Sequence, residues 1–480
     1  MQQERRPLLE ATDYRSAYWY ASVAAVGGFV CGYDTGSISS IIALPIFQKL
    51  FFLDRPLAYY ESLLLASFLV TSMLGAFISG YFCDKIGRRN SIFLSTLLLF
   101  IGILFEIAGI HSRVLLCGRL IAGLGTGLMT NAIPLYQSEI SPPDIRGRLV
   151  SLYSLLASTG QMMGYFVTFR SSYFKSNWSW RLPWLVQLIV CVFFLFSICF
   201  LPCSPRWLVS QGKEQKGLAV LASIYGLSEN HATVQKEYEE IRLQMANTNK
   251  EESYRQLFEG TNRRRTLLAF FISIATCFTG NVVISYYAPH IFRNAGLDDV
   301  SISLALTGGI GLLSLMANMV SLRWWVDLWG RRALFQTGSV ISCICMVSVG
   351  LAFHFYAEWD ENGMITVSNA WARTIIIVCI YLFSTTFAAT WAVGTYVYTA
   401  EIFSMRARAK GLSLTYAISW AGSIFITYFT PFFLSWSISG VYFFLGACSL
   451  VAFVGVCFIP ETKGKTLEEI DSLFESSFLK

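Results

Sequence analysis

An aspartate flanked by glycines in the middle of an apolar run has the clearest capacity for chemistry in this sequence. Asp34 sits in Gly32-Tyr33-Asp34-Thr35-Gly36, inside the apolar residues 18–45. A carboxylate in a membrane-buried helix is costly unless it is paired or protonated, so Asp34 is a candidate to bind and release a proton. Arg119 is a second such charge, inside the apolar residues 114–138. Glu106 is a third, late in the run 91–111, with a place near the outer interface expected and no role assigned. Gln161 lies in a small and otherwise apolar stretch. An amide there needs a hydrogen-bonding partner, which a polar ligand or a neighbouring helix can supply. Charge clusters also recur. Asp84-x-x-Gly87-Arg88-Arg89 returns 243 residues later as Asp327-x-x-Gly330-Arg331-Arg332. Glu139, with Arg146 seven residues on, returns 262 residues later as Glu401 with Arg408.

The elements that hold these residues are membrane helices. Of 480 residues, 54% are hydrophobic and only 14% charged, and mean hydropathy is +0.53. Soluble domains are nearer a quarter charged, so the composition excludes a disordered chain, a nucleic-acid binder and an ordinary cytosolic enzyme. A crossing needs ~20 apolar residues. Apolar runs at about 18–45, 62–83, 91–111, 114–138, 149–170 and 184–202 are followed by six more at about 266–292, 301–323, 333–354, 372–400, 411–436 and 440–459. The expected fold is all-α and polytopic, with twelve transmembrane helices in two six-helix pseudo-symmetric bundles. The expected divisions are an N-tail at 1–17, bundles at 18–202 and 266–459, a linker at 203–265 with short amphipathic helices, and a C-tail at 460–480. The twin clusters fall at matching places in the two halves, the arrangement of parallel repeats around a midplane site.

With the N-terminus in the cytosol, 27 Lys and Arg fall on the cytosolic side against eight on the other. That excess supports both termini inside. Residues 1–16 lack an apolar stretch with a cleavage site, so a cleaved signal peptide is not expected. Glu4 with Leu8-Leu9 has the spacing of a dileucine sorting signal, resembling those that route to vacuoles or lysosomes, with an adaptor protein as its reader. Asn177-Trp178-Ser179 is a glycosylation sequon in an outside loop. The twelve cysteines lie mostly in apolar runs without C-x-x-C spacing, and the four histidines are scattered. They read as small hydrophobes rather than as disulfides or a metal site.

The chain resembles the sugar porter family of the major facilitator superfamily, over nearly its whole length. The resemblance is carried by Gly32 to Gly36, by the twin loops at 84–89 and 327–332, and by Gly118-Arg119-Leu120 with Gly123, Gly125 and Gly127. It continues in Ser138-Glu139-Ile140 with Arg146-Gly147-Arg148, and in Trp180-Arg181-Leu182-Pro183, as in fungal members. Pro202-Cys203-Ser204-Pro205-Arg206 is similar to a P-E-S-P-R motif with Cys203 in place of its Glu, and Pro460-Glu461-Thr462-Lys463-Gly464 matches the closing motif. The resemblance implies that Asp34 faces Arg119 and that the aspartate cycles a proton, since facilitative relatives typically lack an acid there. It also puts Gln161 at a sugar-binding position.

A sugar pocket needs amides for paired hydrogen bonds and an aromatic platform. Here the resemblance departs. Anchored on Gly280 and the pair Tyr286-Tyr287, the two positions commonly held by Gln are Thr276 and Cys277, and the usual Asn position is Val282. Asn281 directly follows the glycine, as in a fungal branch with disaccharide permeases. Trp391 is kept, followed by Ala392-Val393 instead of Gly-Pro, and Tyr396 stands where the family has Trp. Trp420 is kept, while Ser419 and Ser423 replace two expected Asn. The expected substrate set is Gln161, Thr276, Asn281, Tyr286, Tyr287, Trp391, Tyr396, Ser419 and Trp420.

The loop charges read as a cytosolic gate. Asp84, Arg88, Arg89, Asp327, Arg331 and Arg332 flank the turns, and Glu139 and Glu401 are expected to pair with Arg146, Arg148, Arg406 or Arg408 of the opposite half and hold that side shut. The expected activity is proton-coupled symport of a sugar or sugar-like solute by alternating access. The alternatives are a facilitative carrier and a non-transporting sensor, although sensors resembling this family carry long tails and 461–480 is short. No phosphate-binding loop or nucleophile–base pair is found, so an enzyme, a cofactor and a metal are not expected. Solute, protons and bilayer are the expected partners, with no nucleic acid, and the chain is expected to be a monomer.

Overall fold

The computed structural model describes residues 14–51, 57–142, 145–246, 254–297, 299–325, 329–359, 365–403, 407–463 and 474. Glu4, Leu8, Leu9, Asp327 and Arg406 fall outside the described residues. The first half contains α1 (Arg15–Ile42), α2 (Pro45–Phe51), α3 (Leu57–Ile86), α4 (Arg88–Ala108), α5 (Ser112–Ile140), α6 (Arg146–Ser171) and α7 (Trp178–Ile198). The linker forms α8 (Pro205–Ser210), α9 (Glu214–Tyr225), α10 (Ala232–Ala246) and a 3₁₀ turn (Tyr254–Phe258). The second half contains α11 (Gly260–Thr276), α12 (Val282–Asn294), α13 (Val300–Val320), α14 (Arg331–Tyr356), α15 (Ala370–Phe387), α16 (Val393–Ile402), α17 (Arg408–Trp436) and α18 (Ile438–Val456). A hairpin of β1 (Ala357–Trp359) and β2 (Ile365–Val367), which the sequence reading did not foresee, joins α14 to α15, with Ala357 opposite Val367.

Among the described residues, ten stretches are long and apolar enough to cross a membrane, α11–α12 and α15–α16 each counting once, and α1 with α2, bent by 81°, makes an eleventh. The twelfth long helix is α6, whose 26 residues span ~39 Å at 1.5 Å per residue, enough for a ~30 Å hydrocarbon core. It is less apolar because Ser154, Ser158, Gln161 and Tyr165 face the centre of the protein instead of lipid. This is an all-α polytopic membrane fold. Helix neighbours repeat between the halves. α1 packs on α6 as α11 packs on α17, α4 on α5 as α14 on α15, and α4 on α7 as α14 on α18. The halves meet along α3 with α17 and α6 with α13.

Small residues fix the tightest of these seams. A Cβ at Gly32 would lie 1.9 Å from the Ala157 carbonyl oxygen, and one at Gly160 would lie 2.0 Å from that of Phe29. Backbones this close gain dispersion contact that lipid cannot match, and any larger residue would force α1 from α6. The seam fixes the rotation of α1 and thereby directs Asp34 inward. At the end opposite the twin loops, Phe47 and Phe51 of α2 stack edge-on against Trp180 and Trp184, all four buried. The α1–α2 bend delivers these two phenylalanines to α7. All twelve cysteines are unbridged.

Candidate functional site

A cavity of about 290 Å³ lies between the halves at mid-height. α6 lines it with Tyr153, Ser154, Ser158, Gln161 and Tyr165, residues spaced by a helical repeat. α17 lines it with Tyr416, Ser419, Trp420 and Ser423 at the same spacing. Two helices break beside it. The α11–α12 stretch passes through a π-turn at Cys277–Asn281, where Gly280 has φ +114, outside helical space and strained for any L side chain. The α15–α16 stretch passes through a π-turn at Ala388–Ala392. These breaks turn Thr276, Asn281 and Thr395 into the cavity, with the Thr276 and Thr395 hydroxyls 3.0 Å apart.

Of the expected substrate set, Gln161, Thr276, Asn281, Tyr286, Tyr396, Ser419 and Trp420 line the cavity. Gln161 donates from Nε2 to the Tyr165 hydroxyl at 2.9 Å, and that hydroxyl donates across the interface to the Ser285 carbonyl at 3.0 Å. Two expected residues do not belong. Tyr287 is turned onto α17, where its hydroxyl donates to the Thr427 carbonyl at 2.9 Å. Trp391 is fully buried against Phe335, with ring centroids 4.7 Å apart. Trp391 lies within the π-turn Ala388–Ala392 and faces α14 instead of the cavity. The unforeseen lining residues are Phe68, Tyr153, Tyr416 and a run of hydroxyls including Thr35, Thr126, Thr130 and Ser314. Tyr153, Tyr396 and Tyr416 form one aromatic wall. Its signal in the sequence was the polar and aromatic spacing within α6 and α17, not a motif. Asn318 of α13, also unforeseen, donates to Ser154 and Ser158 and links the halves. Among the described residues, none that lines the cavity is charged.

Beside the cavity, Asp34 and Arg119 do face each other. Both are essentially fully buried, and Arg119 Nη1 donates to Asp34 Oδ1 at 2.9 Å and Oδ2 at 3.0 Å. Gln187 Nε2 lies 3.5 Å from the same Oδ1. Glu106 is two residues from the end of α4 and turns inward. It is also fully buried and receives Arg119 Nη1 at 3.3 Å. The Arg119 guanidinium rests 4.1 Å from the centre of the Phe68 ring, a cation–π contact. Phe68 lines the cavity and meets Trp420 edge-on at 6.5 Å. The Phe68 ring therefore lies between Arg119 and the cavity.

The loop clusters differ from the expected gate. Arg88 pairs with Glu139 at 2.9 Å and with Asp84 at 3.4 Å, and Arg331 pairs with Glu401 at 2.8 Å. These pairs tie helices within one half, because each acid ends a helix that packs beside its own half's arginine turn. The two clusters match contact for contact. Glu139 accepts from Ser204 as Glu401 accepts from Thr462 at 2.7 Å. Arg89 donates to the Cys199 carbonyl as Arg332 donates to that of Cys457. Tyr136 donates to the Pro202 carbonyl as Tyr398 donates to that of Pro460. The exception is Cys203. At the matching position, Glu461 accepts the backbone N–H of Arg331, Arg332 and Lys463, each at 3.0 Å. The first turn of α4 has no such carboxylate. Burial raises the Glu461 carboxyl, but those three N–H groups and the Arg331 charge outweigh it and hold the carboxyl below its usual range.

Between the clusters, Arg408 is buried within electrostatic reach of Arg146, Arg206, Glu139 and Glu401. The charges of both halves therefore converge there, although the close pairs of Glu139 and Glu401 stay at home. Burial, and then the Arg146 charge, lower the Arg206 guanidinium from its ordinary value. Arg148 is exposed. Neutral groups bond across the halves at this end. Asn131 Nδ2 reaches the Ala409 carbonyl at 3.4 Å, and the Tyr254 hydroxyl contacts Phe77 of α3 at 3.0 Å and Ser413 of α17 at 3.3 Å.

A family model described as Sugar (and other) transporter matches residues 20–474. The chain belongs to that family. The low-affinity glucose transporter HXT3 of Saccharomyces cerevisiae is 30% identical, over 97% of this chain and 84% of its own length. The quinate permease of Neurospora terricola is 28% identical, over 98% and 91%. Among solved structures, the major facilitator proton:xylose symporter XylE bound to 6-bromo-6-deoxy-D-glucose has a TM-score of 0.82 at 26% identity, covering 95% of this chain and 99% of XylE. These relatives are membrane transporters and not enzymes. Membership of the family makes this chain a multi-pass membrane transporter.

Proposed function

We propose that this chain is a proton symporter for a neutral sugar or polyol, working by alternating access. The buried Asp34–Arg119 pair, whose guanidinium rests on the cavity-lining ring of Phe68, carries the reading. A solute pressed on Trp420 or Phe68 can shift Arg119, and a proton on the acid can do the same from the other side. Each ligand then biases one element with two arrangements, which is what coupling requires. The names of XylE and HXT3 support a sugar. The cavity supports a neutral one. It offers Gln161, Asn281, many hydroxyls and an aromatic wall, but no cation to meet a substrate carboxylate. With fewer amides than the family pattern, recognition rests on single hydroxyl bonds and ring stacking.

Residues 18–202 and 266–459 are read as two bundles that rock about this site, with the π-turns at Cys277–Asn281 and Ala388–Ala392 as the hinges of the inner helices. The excess of Lys and Arg at the loop clusters supports a cytosolic location for that end and for both tails. The N-terminal dileucine supports delivery to a vacuolar or lysosomal membrane, with the plasma membrane as the alternative.

The test is uptake into proteoliposomes with and without an inward proton gradient. Wild type is expected to accumulate solute only with the gradient, and Asp34→Asn is expected to lose accumulation. Uptake that ignores the gradient and is unchanged in Asp34→Asn would refute symport and leave a facilitative carrier.

A further inference from the structure

Three ionisable side chains share one dry site, and their charges do not balance. Asp34 and Glu106 supply two carboxyls and Arg119 one guanidinium, and all three are essentially without solvent contact. With both acids ionised, the site would hold an uncompensated negative charge, which is strongly disfavoured inside a protein. One proton makes it neutral. The hydrogen bonds distinguish the two acids. Asp34 takes both close bonds from Arg119 Nη1, at 2.9 and 3.0 Å, and has Gln187 at 3.5 Å. Glu106 takes one longer bond, at 3.3 Å to Oε1, and its Oε2 has no partner. That is the pattern of an ionised aspartate beside a neutral glutamic acid.

Arg119 also holds donors in reserve. Its Nε and Nη2 are buried and make no hydrogen bond. The charged groups acting on Glu106 among the described residues are Arg119 from α5 and Asp34 from α1. The nearest group from α7 is the neutral amide of Gln187, and α3 contributes the Phe68 ring against Arg119. Room for the glutamate stem comes from Gly118, where a Cβ would lie 2.9 Å from Glu106 Cγ. Glu106 is two residues from the end of α4, ~3 Å along its axis, whereas Asp34 is eight residues from the end of α1, ~12 Å.

Resting on the symport reading above, we infer that Glu106, not Asp34, carries the transported proton in this conformation, and that Arg119 moves from Asp34 to Glu106 when the proton leaves. In that step, taken once the rocking bundles admit water to the site, the Glu106 O–H bond breaks, the proton passes to that water, the guanidinium stays charged, and the water solvates the extra negative charge. The spare Nε and Nη2 then bind the new carboxylate in a fork. Asp34 loses its close bonds, and the Phe68 ring on Arg119 is displaced toward the cavity.

The test compares wild type, Glu106→Gln and Glu106→Asp in proteoliposomes. Glu106→Gln mimics the protonated acid. It is expected to show measurable solute counterflow, to lose accumulation under a proton gradient, and to lose the pH dependence of exchange. If wild type does not accumulate, symport itself fails. If wild type accumulates and Glu106→Gln does so with the same pH profile, this inference alone is overturned. Should Glu106→Gln show no counterflow, Glu106→Asp decides. Restored accumulation with a displaced pH profile supports a proton on residue 106, and an unchanged profile overturns it.

Discussion

The mismatch between Cys203 and Glu461 gives a prediction whose size can be worked out. Glu461 takes three backbone N–H groups at the start of α14 and beside it, and also that of Thr462 at 3.1 Å. Losing a helix N-cap side chain costs about 0.5–2 kcal/mol. Losing a negative charge at a helix N-terminus costs about 0.3–1 kcal/mol more. Glu461→Ala should therefore destabilise the second half by ~2 kcal/mol. For a unit of about 200 residues this lowers the melting temperature by ~4–8 °C. Glu461→Gln keeps an acceptor and should cost about half as much. The effect depends on pH in a definite direction. The carboxyl is held below its ordinary value near ~4.3, so its contribution is complete above that pH and fades as pH falls through the lower folded value. The reverse change, Cys203→Glu, supplies the missing carboxylate to Arg88 and Arg89 and should raise stability by up to ~1 kcal/mol, less the rotamer entropy of the new side chain. Melting of purified protein in detergent, followed by tryptophan fluorescence between pH 4 and 8, measures all three. A Glu461→Ala melting temperature within 1 °C of wild type, or a Cys203→Glu protein less stable than wild type, would refute the cap argument.

The two tryptophans that the sequence could not tell apart should separate in the assay. Trp420→Ala is expected to raise the uptake KM severalfold with a small effect on melting, whereas Trp391→Ala should cost ~3–5 kcal/mol of stability and leave the KM of the surviving protein near wild type. Equal effects on KM would contradict the placement of Trp391 behind the cavity. Gly32→Ala should be destabilised by ~1–3 kcal/mol, because its Cβ would meet the Ala157 carbonyl at 1.9 Å. A melting temperature equal to wild type would mean that α1 and α6 do not pack this closely.

What could be read from the sequence was whatever repeats or spans. Apolar runs fix membrane helices because a backbone in lipid must bond to itself. Even α6, made less apolar by facing other helices and the cavity more than lipid, is visible as the run 149–170. Asp34 and Arg119 were visible because an intramembrane charge is rare enough to notice, and seven of the nine expected substrate residues line the cavity. The failures share a cause. Tyr287 follows Tyr286 by one residue, ~100° around the helix, so only one of the pair can face the cavity, and Trp391 lies within the π-turn Ala388–Ala392, whose facing is set by packing against Phe335 of α14. The pairing of Glu139 and Glu401 depends on which arginine turn packs beside each, a question of neighbours in space. Glu106 looked like an interfacial acid because sequence gives depth along a helix but not the face it turns to. By itself the sequence determined the number of helices, the repeat and the location of the rare charges. The tertiary structure decided which of those charges share a single proton-sized imbalance, because that depends on three helices meeting at one guanidinium.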